Sequence, residues 1–291
     1  MSIYTPTQRT KVLVALDGSP AAATALPMAR TIAAKLDAAI MILHSATVPM
    51  PAADLRQRLG LDREDVEVLQ VQAPTDASAA GILQASGAAE VVLLVLTTHG
   101  RSISDGPRLG RVAEAVAAGS AGPLLLVPPE TVPVPSAARP PLRLRRLLLP
   151  LDGTPTTATV LQPATALASR LGASVDVLYV VDPDQADPTE PGSVRVPYYM
   201  DQPQHEWPAL ERRVIDELCT IYAKCPPEVP VRMVLRYGPI GDAIVRCAAD
   251  HQDDVIVLVR RSRLEPGHAR VLREVLNQTS CPVLLLSGPP S

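Results

Sequence analysis

Along the first half of the chain, short aliphatic runs alternate with longer stretches in which apolar positions recur every three or four residues. Val12–Leu16, Ile40–His44, Val66–Val71, Val91–Leu96 and Leu124–Val127 are short and nearly uniformly apolar, the pattern of β-strands buried on both faces. Between them, Pro20–Leu36, Thr75–Ala85 and Arg111–Ala118 carry the helical period, with a shorter helix near Ala53–Leu59. Strands alternating with helices predict an α/β domain with a parallel sheet covered on both faces. In such sheets the ligand crevice opens at the carboxyl ends of the strands, where the strand order reverses.

The pattern then repeats. KVLVALDGSP at Lys11–Pro20 returns as RLLLPLDGTP at Arg146–Pro155, 135 residues later, which sets Asp17 on Asp152 and Gly18 on Gly153. The same spacing carries Ile40–Ser45 onto Val175–Val180. By Ala73-Pro74 and Gly238-Pro239 the spacing has grown to 165, so the second half holds 30 extra residues between its second and third strands. Pro128–Arg145 contains six prolines, which suit neither a helix nor a central strand and make a stiff connector. The division expected is a domain over residues 1–128, a Pro-rich linker over 129–145 and a second domain over 146–291.

Composition narrows the function. Of 291 residues 47% are hydrophobic, yet aromatics make up 2% and Phe is absent, so both cores must be built from Leu, Val, Ile and Ala. A net charge of -3 and the scarcity of stacking side chains argue against a nucleic-acid partner. Met1–Lys11 is polar and no apolar run approaches the roughly 20 residues of a membrane span, so no membrane partner and a cytoplasmic location are expected. The four cysteines, Cys219, Cys225, Cys247 and Cys281, form no C-x-x-C pair and read as buried reduced thiols.

Two places could carry chemistry. Asp17 follows the first strand and precedes Gly-Ser-Pro, either as a strand-to-helix turn residue or as a polar group on the crevice lip. Thr97-Thr98-His99-Gly100-Arg101 follows the fourth strand, and Gly106 and Gly110 precede the next helix. A glycine-containing loop entering a helix offers backbone N–H groups to phosphate, and it also serves as plain turn chemistry.

Together these segments resemble the universal stress protein family: Val14-Ala-Leu-Asp17-Gly-Ser, Leu43-His44, Thr98-His99-Gly100-Arg101-Ser102, Leu109-Gly110-Arg-Val-Ala-Glu114 and a closing Gly-Pro-Leu-Leu-Leu-Val strand. The resemblance covers nearly all of both halves. It implies two tandem Rossmann-like domains of the adenine nucleotide alpha hydrolase type, each a five-stranded parallel sheet in the order 3-2-1-4-5 with helices on both faces. ATP-binding members carry G-x2-G-x9-G-[S/T]; here the spacing is kept as Thr97-x2-Gly100-x9-Gly110-Arg111, with the first glycine and the final hydroxyl residue replaced.

By this resemblance Ala15, Asp17 and Ser45 line the adenine and ribose end, and His99, Gly100, Gly110 and Val112 lie along the phosphates of ATP, with Mg2+ as its companion ion. Thr97 adds a Cβ where the nucleotide approaches the backbone. Arg111 either reaches a terminal phosphate or fills its place, and Arg101 either adds positive charge or is solvated. The family also implies pairing between fifth strands, here Leu124–Val127 with Val283–Leu286 as a pseudo-dimer within one chain. The 18-residue linker, roughly 50 Å when extended, permits this, and a homodimer of such chains is compatible with it.

The second copy departs further from the motif. Val259-Arg260-Arg261-Ser262 stands for Thr97–Gly100, and Ala269-Arg270 for Gly110-Arg111, so a full ATP site is not expected beside Asp152. Arg260, Arg261, Arg263, His268, Arg270 and Arg273 either attract another anion or form a solvated face paired with Glu265 and Glu274. The insertion Asp182–Glu206 is acidic and Pro-rich; Tyr198, Tyr199 and the adjacent Trp207 pack on the sheet or dock a partner.

The sequence therefore supports a stress or regulatory protein binding an adenine nucleotide in its first half, against a tandem scaffold that acts through protein–protein contacts. Catalysis would ask His99 to act as base and Asp17 to hold a metal. No Ser-His-Asp set or P-loop lysine appears, so at most a weak ATPase is expected.

Overall fold

β-Branched and leucine side chains in unbroken runs leave the backbone no solvated face, so each run must sit inside a sheet covered on both sides. In a computed structural model, which describes residues 10–46, 51–58, 66–72, 78–99, 109–129, 144–184, 189–193, 228–260 and 266–287, they do. The chain divides into two compact units, Met1–Leu142 and Arg143–Ser291.

In the first unit the strands are β1 (Lys11–Leu16), β2 (Ala39–Ala46), β3 (Val66–Gln72), β4 (Val91–Thr97) and β5 (Leu124–Val127). They lie in the order 3-2-1-4-5, and every pairing is parallel. Val12, Leu13 and Val14 of β1, the central strand, are wholly buried. Full burial of such side chains is worth about 1.5–3 kcal/mol each.

The stretch expected as one helix from Pro20 to Leu36 is two, Pro20–Ala23 and Ala25–Leu36. Pro27 has no N–H to continue the first helical ladder, and Thr24 closes the first piece by donating its N–H to the carbonyls of Ala21 and Ala22. Pro27 is instead tolerated in the first turn of the second piece. Helices Ala52–Arg58, Ser78–Ser86 and Arg111–Gly119 complete the unit.

The second unit repeats the plan with β6 (Arg146–Leu151), β7 (Ser174–Val181), β8 (Val231–Tyr237), β9 (Val255–Arg260) and β10 (Val283–Ser287), again all parallel, in the order 8-7-6-9-10. Its helices include Pro155–Ala158, Leu161–Leu171, Ile240–His251 and Pro266–Gln278. Each unit is thus the Rossmann-like sheet implied by the resemblance. The long helix after the first strand ends alike in both, on a left-handed residue: Asp37 at φ 51° and Gly172 at φ 69°.

Among the described residues no helix is long and apolar enough to cross a membrane. Cys247 is buried and Cys281 largely so, and both are free thiols as expected. Cys219, Cys225, most of the linker and the Tyr198, Tyr199 and Trp207 cluster lie outside the described residues.

Candidate functional site

Strand order reverses at β1, which is flanked by β2 on one side and β4 on the other. The carboxyl ends of these three strands are therefore adjacent, and the first unit's candidate residues gather there. Ala15 is buried near the end of β1, opposite Leu43, and Ser45 holds the register position opposite Val71. Asp17 begins the turn that leaves β1. Its Oδ1 accepts the N–H of Ser19 at 2.9 Å across Gly18, whose φ of 78° excludes most side chains. Ser19 then caps the following helix, its Oγ accepting from the N–H of Ala22 at 3.1 Å.

At the end of β4 the chain turns under tight control. Thr97 is buried and donates its hydroxyl to the carbonyl of His99 at 2.6 Å, so its side chain fastens the turn. Thr98 is 1% exposed, its hydroxyl 3.1 Å from His99 Nδ1. The far end of the loop returns to the same point: the N–H of Gly110 donates to the Thr98 carbonyl at 2.7 Å. Gly110 is the N-cap of helix Arg111–Gly119 and supplies no side-chain cap. The first N–H groups of an α-helix have no intrahelical acceptor, so this end keeps donors for an anion. Arg111 is exposed on the first turn and Val112 is half-buried beside it. Gly100 and Arg101 lie outside the described residues.

This arrangement offers a carboxylate beside β1 that can accept from a hydroxyl, and open N–H groups beside β4 that suit an anion. Thr98, absent from the expected site residues, is the residue that joins the two ends of the loop. Its hint in the sequence was a hydroxyl residue directly after an apolar strand.

The second unit's crevice is built differently. Asp152 Oδ1 accepts from the N–H of Thr154 at 2.9 Å, from its hydroxyl at 2.6 Å and from the hydroxyl of Thr157. From the insertion, Glu190 Oε1 accepts the N–H and hydroxyl of Thr156 at 3.0 and 2.7 Å, placing a carboxylate at the start of the helix that follows β6. Arg260 corrects the expectation of a solvated arginine face. It is buried at the end of β9 and donates to Ser287 Oγ at 2.6 Å, and burial lowers its pKa. Arg270 does lie on the surface, 3.7 Å from Glu274 one turn on. Helix Pro266–Gln278 begins before the position equivalent to Gly110, so Ala269 and Arg270 lie within it. The first-turn donors that stay open at Arg111 and Val112 have counterparts engaged inside that helix.

Residues 143–287, which include every described strand of the second unit, match the universal stress protein family model. The chain belongs to the universal stress protein family. Solved structures agree on the fold over its whole length. A functionally unknown protein from Pseudomonas aeruginosa PAO1 is 18% identical, covering 97% of this chain and 93% of that one at a TM-score of 0.63. A universal stress protein from Archaeoglobus fulgidus DSM 4304 is 14% identical, covering 96% and 99% at 0.59. A shorter universal stress protein from Archaeoglobus fulgidus, solved in complex with dAMP, is 16% identical and covers 50% of this chain and 99% of that one at 0.34. No curated protein matches.

The family match and the loop between Thr98 and Gly110 thus fall in different halves of this universal stress protein. The matched unit carries Arg260 and a longer helix where the first unit carries Thr98 and the open turn at Gly110.

Proposed function

We propose that the chain is a cytoplasmic stress-response or regulatory protein that binds one adenine nucleotide, ATP with Mg2+, in the crevice of its first unit. The observation that carries this reading is the N-terminus of helix Arg111–Gly119, left without a side-chain cap and tied to the end of β4 beside the Asp17 turn. Asp17 takes the ribose, Ala15 and Ser45 border the base, and the backbone from His99 through Gly100 to Gly110 and Val112 follows the phosphates. Arg111, with Arg101, adds positive charge at the outer phosphate. The second unit is the non-binding partner: Glu190 brings negative charge to its lip, and the buried Arg260 occupies the end of β9.

The fifth strands, β5 and β10, are aliphatic sheet edges, and pairing them within one chain removes two exposed edges. This pseudo-dimer makes the degenerate unit a scaffold for the binding one.

Denaturing protein purified without added ligand and analysing the released nucleotide tests the binding. Calorimetric titration of the stripped protein with ATP, ADP and AMP in Mg2+ completes the test. One nucleotide per chain is expected, lost in Asp17→Ala and kept in Asp152→Ala. No released nucleotide and no heat at millimolar ATP would overturn the reading and leave the tandem scaffold as the function.

A further inference from the structure

At the other edge of the second unit's sheet, where the strands begin, polar side chains enter the core. Asp176 is the third residue of β7 and 3% exposed, in a strand otherwise apolar. Asp253 precedes β9 and is 8% exposed. His251 is the last residue of helix Ile240–His251, and Cys247 lies one turn earlier with its side chain buried. One ligand atom from each of Asp176, His251 and Asp253 lies within 4.8 Å of the others.

We propose that Asp176, His251 and Asp253 form a site for one divalent transition metal ion of the Zn2+ type. It is separate from the proposed nucleotide crevice, since it lies in the second unit, at the amino ends of β7 and β9.

The spacing admits one ion. Zinc bonds of about 2.0–2.2 Å to nitrogen or oxygen set neighbouring ligand atoms about 3.3–3.6 Å apart. His251 Nδ1 is 3.3 Å from Asp176 Oδ2, and the Asp253 carboxylate lies within 4.8 Å of both.

A second observation points to a missing cation. Both carboxylate oxygens of Asp253 are buried and have no hydrogen-bond partner among the described residues. An unpaired buried carboxylate is among the most unfavourable groups a core can hold, and it persists where a proton or a cation satisfies it.

The surrounding charges permit a cation. Asp176, Asp250, Asp253 and Asp254 bear on His251 and Asp253 together with Arg146, Arg232 and Arg236, four carboxylates against three guanidiniums. Arg232 holds both oxygens of Asp176, its own side chain 54% exposed, and acts as the outer partner that orients a ligating carboxylate. Arg236 Nη2 is 3.3 Å from His251 Nε2, and its Nη1 already donates to the Leu235 carbonyl. Ligation through Nδ1 puts the imidazole proton on Nε2, and Arg236 then turns away. The first unit is an internal control. The same registers place Met41 where β7 has Asp176 and Val91 where β9 is preceded by Asp253, so that copy has no donors at these points.

The test uses the full chain, stripped with chelator and titrated with Co2+ and then Zn2+. Expected are visible cobalt bands displaced by one equivalent of Zn2+. Asp253→Asn and His251→Gln should each weaken Zn2+ binding at least tenfold by calorimetry. Circular dichroism establishes that each variant is folded, and Asp17→Ala should bind zinc as the parent does. Absence of cobalt bands and zinc heat in the parent would overturn the proposal, as would unchanged zinc affinity in both Asp253→Asn and His251→Gln.

Discussion

The N–H of Gly110 and the carbonyl of Thr98 meet at 2.7 Å, so the loop between them begins and ends at one point on the rim of β4. A Cβ built on Gly110 would stand 3.3 Å from that carbonyl oxygen. Its φ of -70° suits any residue, so the constraint is the close approach and not backbone strain. Gly110→Ala should therefore leave thermal stability almost unchanged while weakening nucleotide binding about three- to tenfold, on the order of 1 kcal/mol. Calorimetry beside a melting curve checks both halves of the statement.

Burial and the neighbouring Asp176 carboxylate push the Asp253 carboxyl up to about 7, with Asp254 adding to the rise and Arg146 and Arg232 opposing it. Its unfolded value is near 3.8. The folded chain thus holds this proton more tightly, and the stability that proton contributes is complete below pH 4 and lost as pH rises through about 7. In chelator, Asp253→Asn should gain on the order of 1–3 kcal/mol over the parent at pH 8.5 and little at pH 5. Urea denaturation at the two pH values measures the difference.

Burial also pushes the Cys247 thiol up to about 11 and the Cys281 thiol up to about 12. At pH 8 the thiolate is then at most about one part in a thousand. Peptide mapping after iodoacetamide should find both residues unmodified in the native protein and labelled in denaturant. Labelling of either in the native state would show that the second unit opens.

Gly172 ends helix Leu161–Leu171 at φ 69°, and nothing lies within 4 Å of where a Cβ would sit. Gly172→Ala isolates the backbone term from any clash, and should cost about 1 kcal/mol of stability. Denaturant midpoints measured at equal slope provide the value.

Fold and crevice were legible to different depths. The strands of the first unit fall within two residues of their apolar runs, because a two-faced parallel strand has only one composition available to it. The break at Thr24 was hidden because Pro20–Leu36 keeps its helical period straight across Pro27. Asp17 and Gly110 stood out through turn chemistry. Arg260 did not, since a run of arginines reads as a surface until the partner hydroxyl of Ser287 is known, 27 residues away. The Asp176, His251 and Asp253 cluster gave no spacing motif, because only the sheet brings Asp176 to the neighbouring His251 and Asp253. The signal was Asp176 itself, one charge inside SVDVLYVV.

Each unit also carries an Asp-Gly pair at its crevice lip, among aspartyl dipeptides the one most prone to spontaneous isoaspartate rearrangement. That reaction begins when the glycine nitrogen attacks the neighbouring side-chain carboxyl, preferentially in its protonated form. Three donors from Thr154 and Thr157 hold Asp152 Oδ1 as a fixed acceptor, and Gly153 is pinned at φ 76°. The threonines that make this lip rigid thereby slow its chemical ageing, and a folded molecule keeps an intact backbone there longer than its unfolded counterpart.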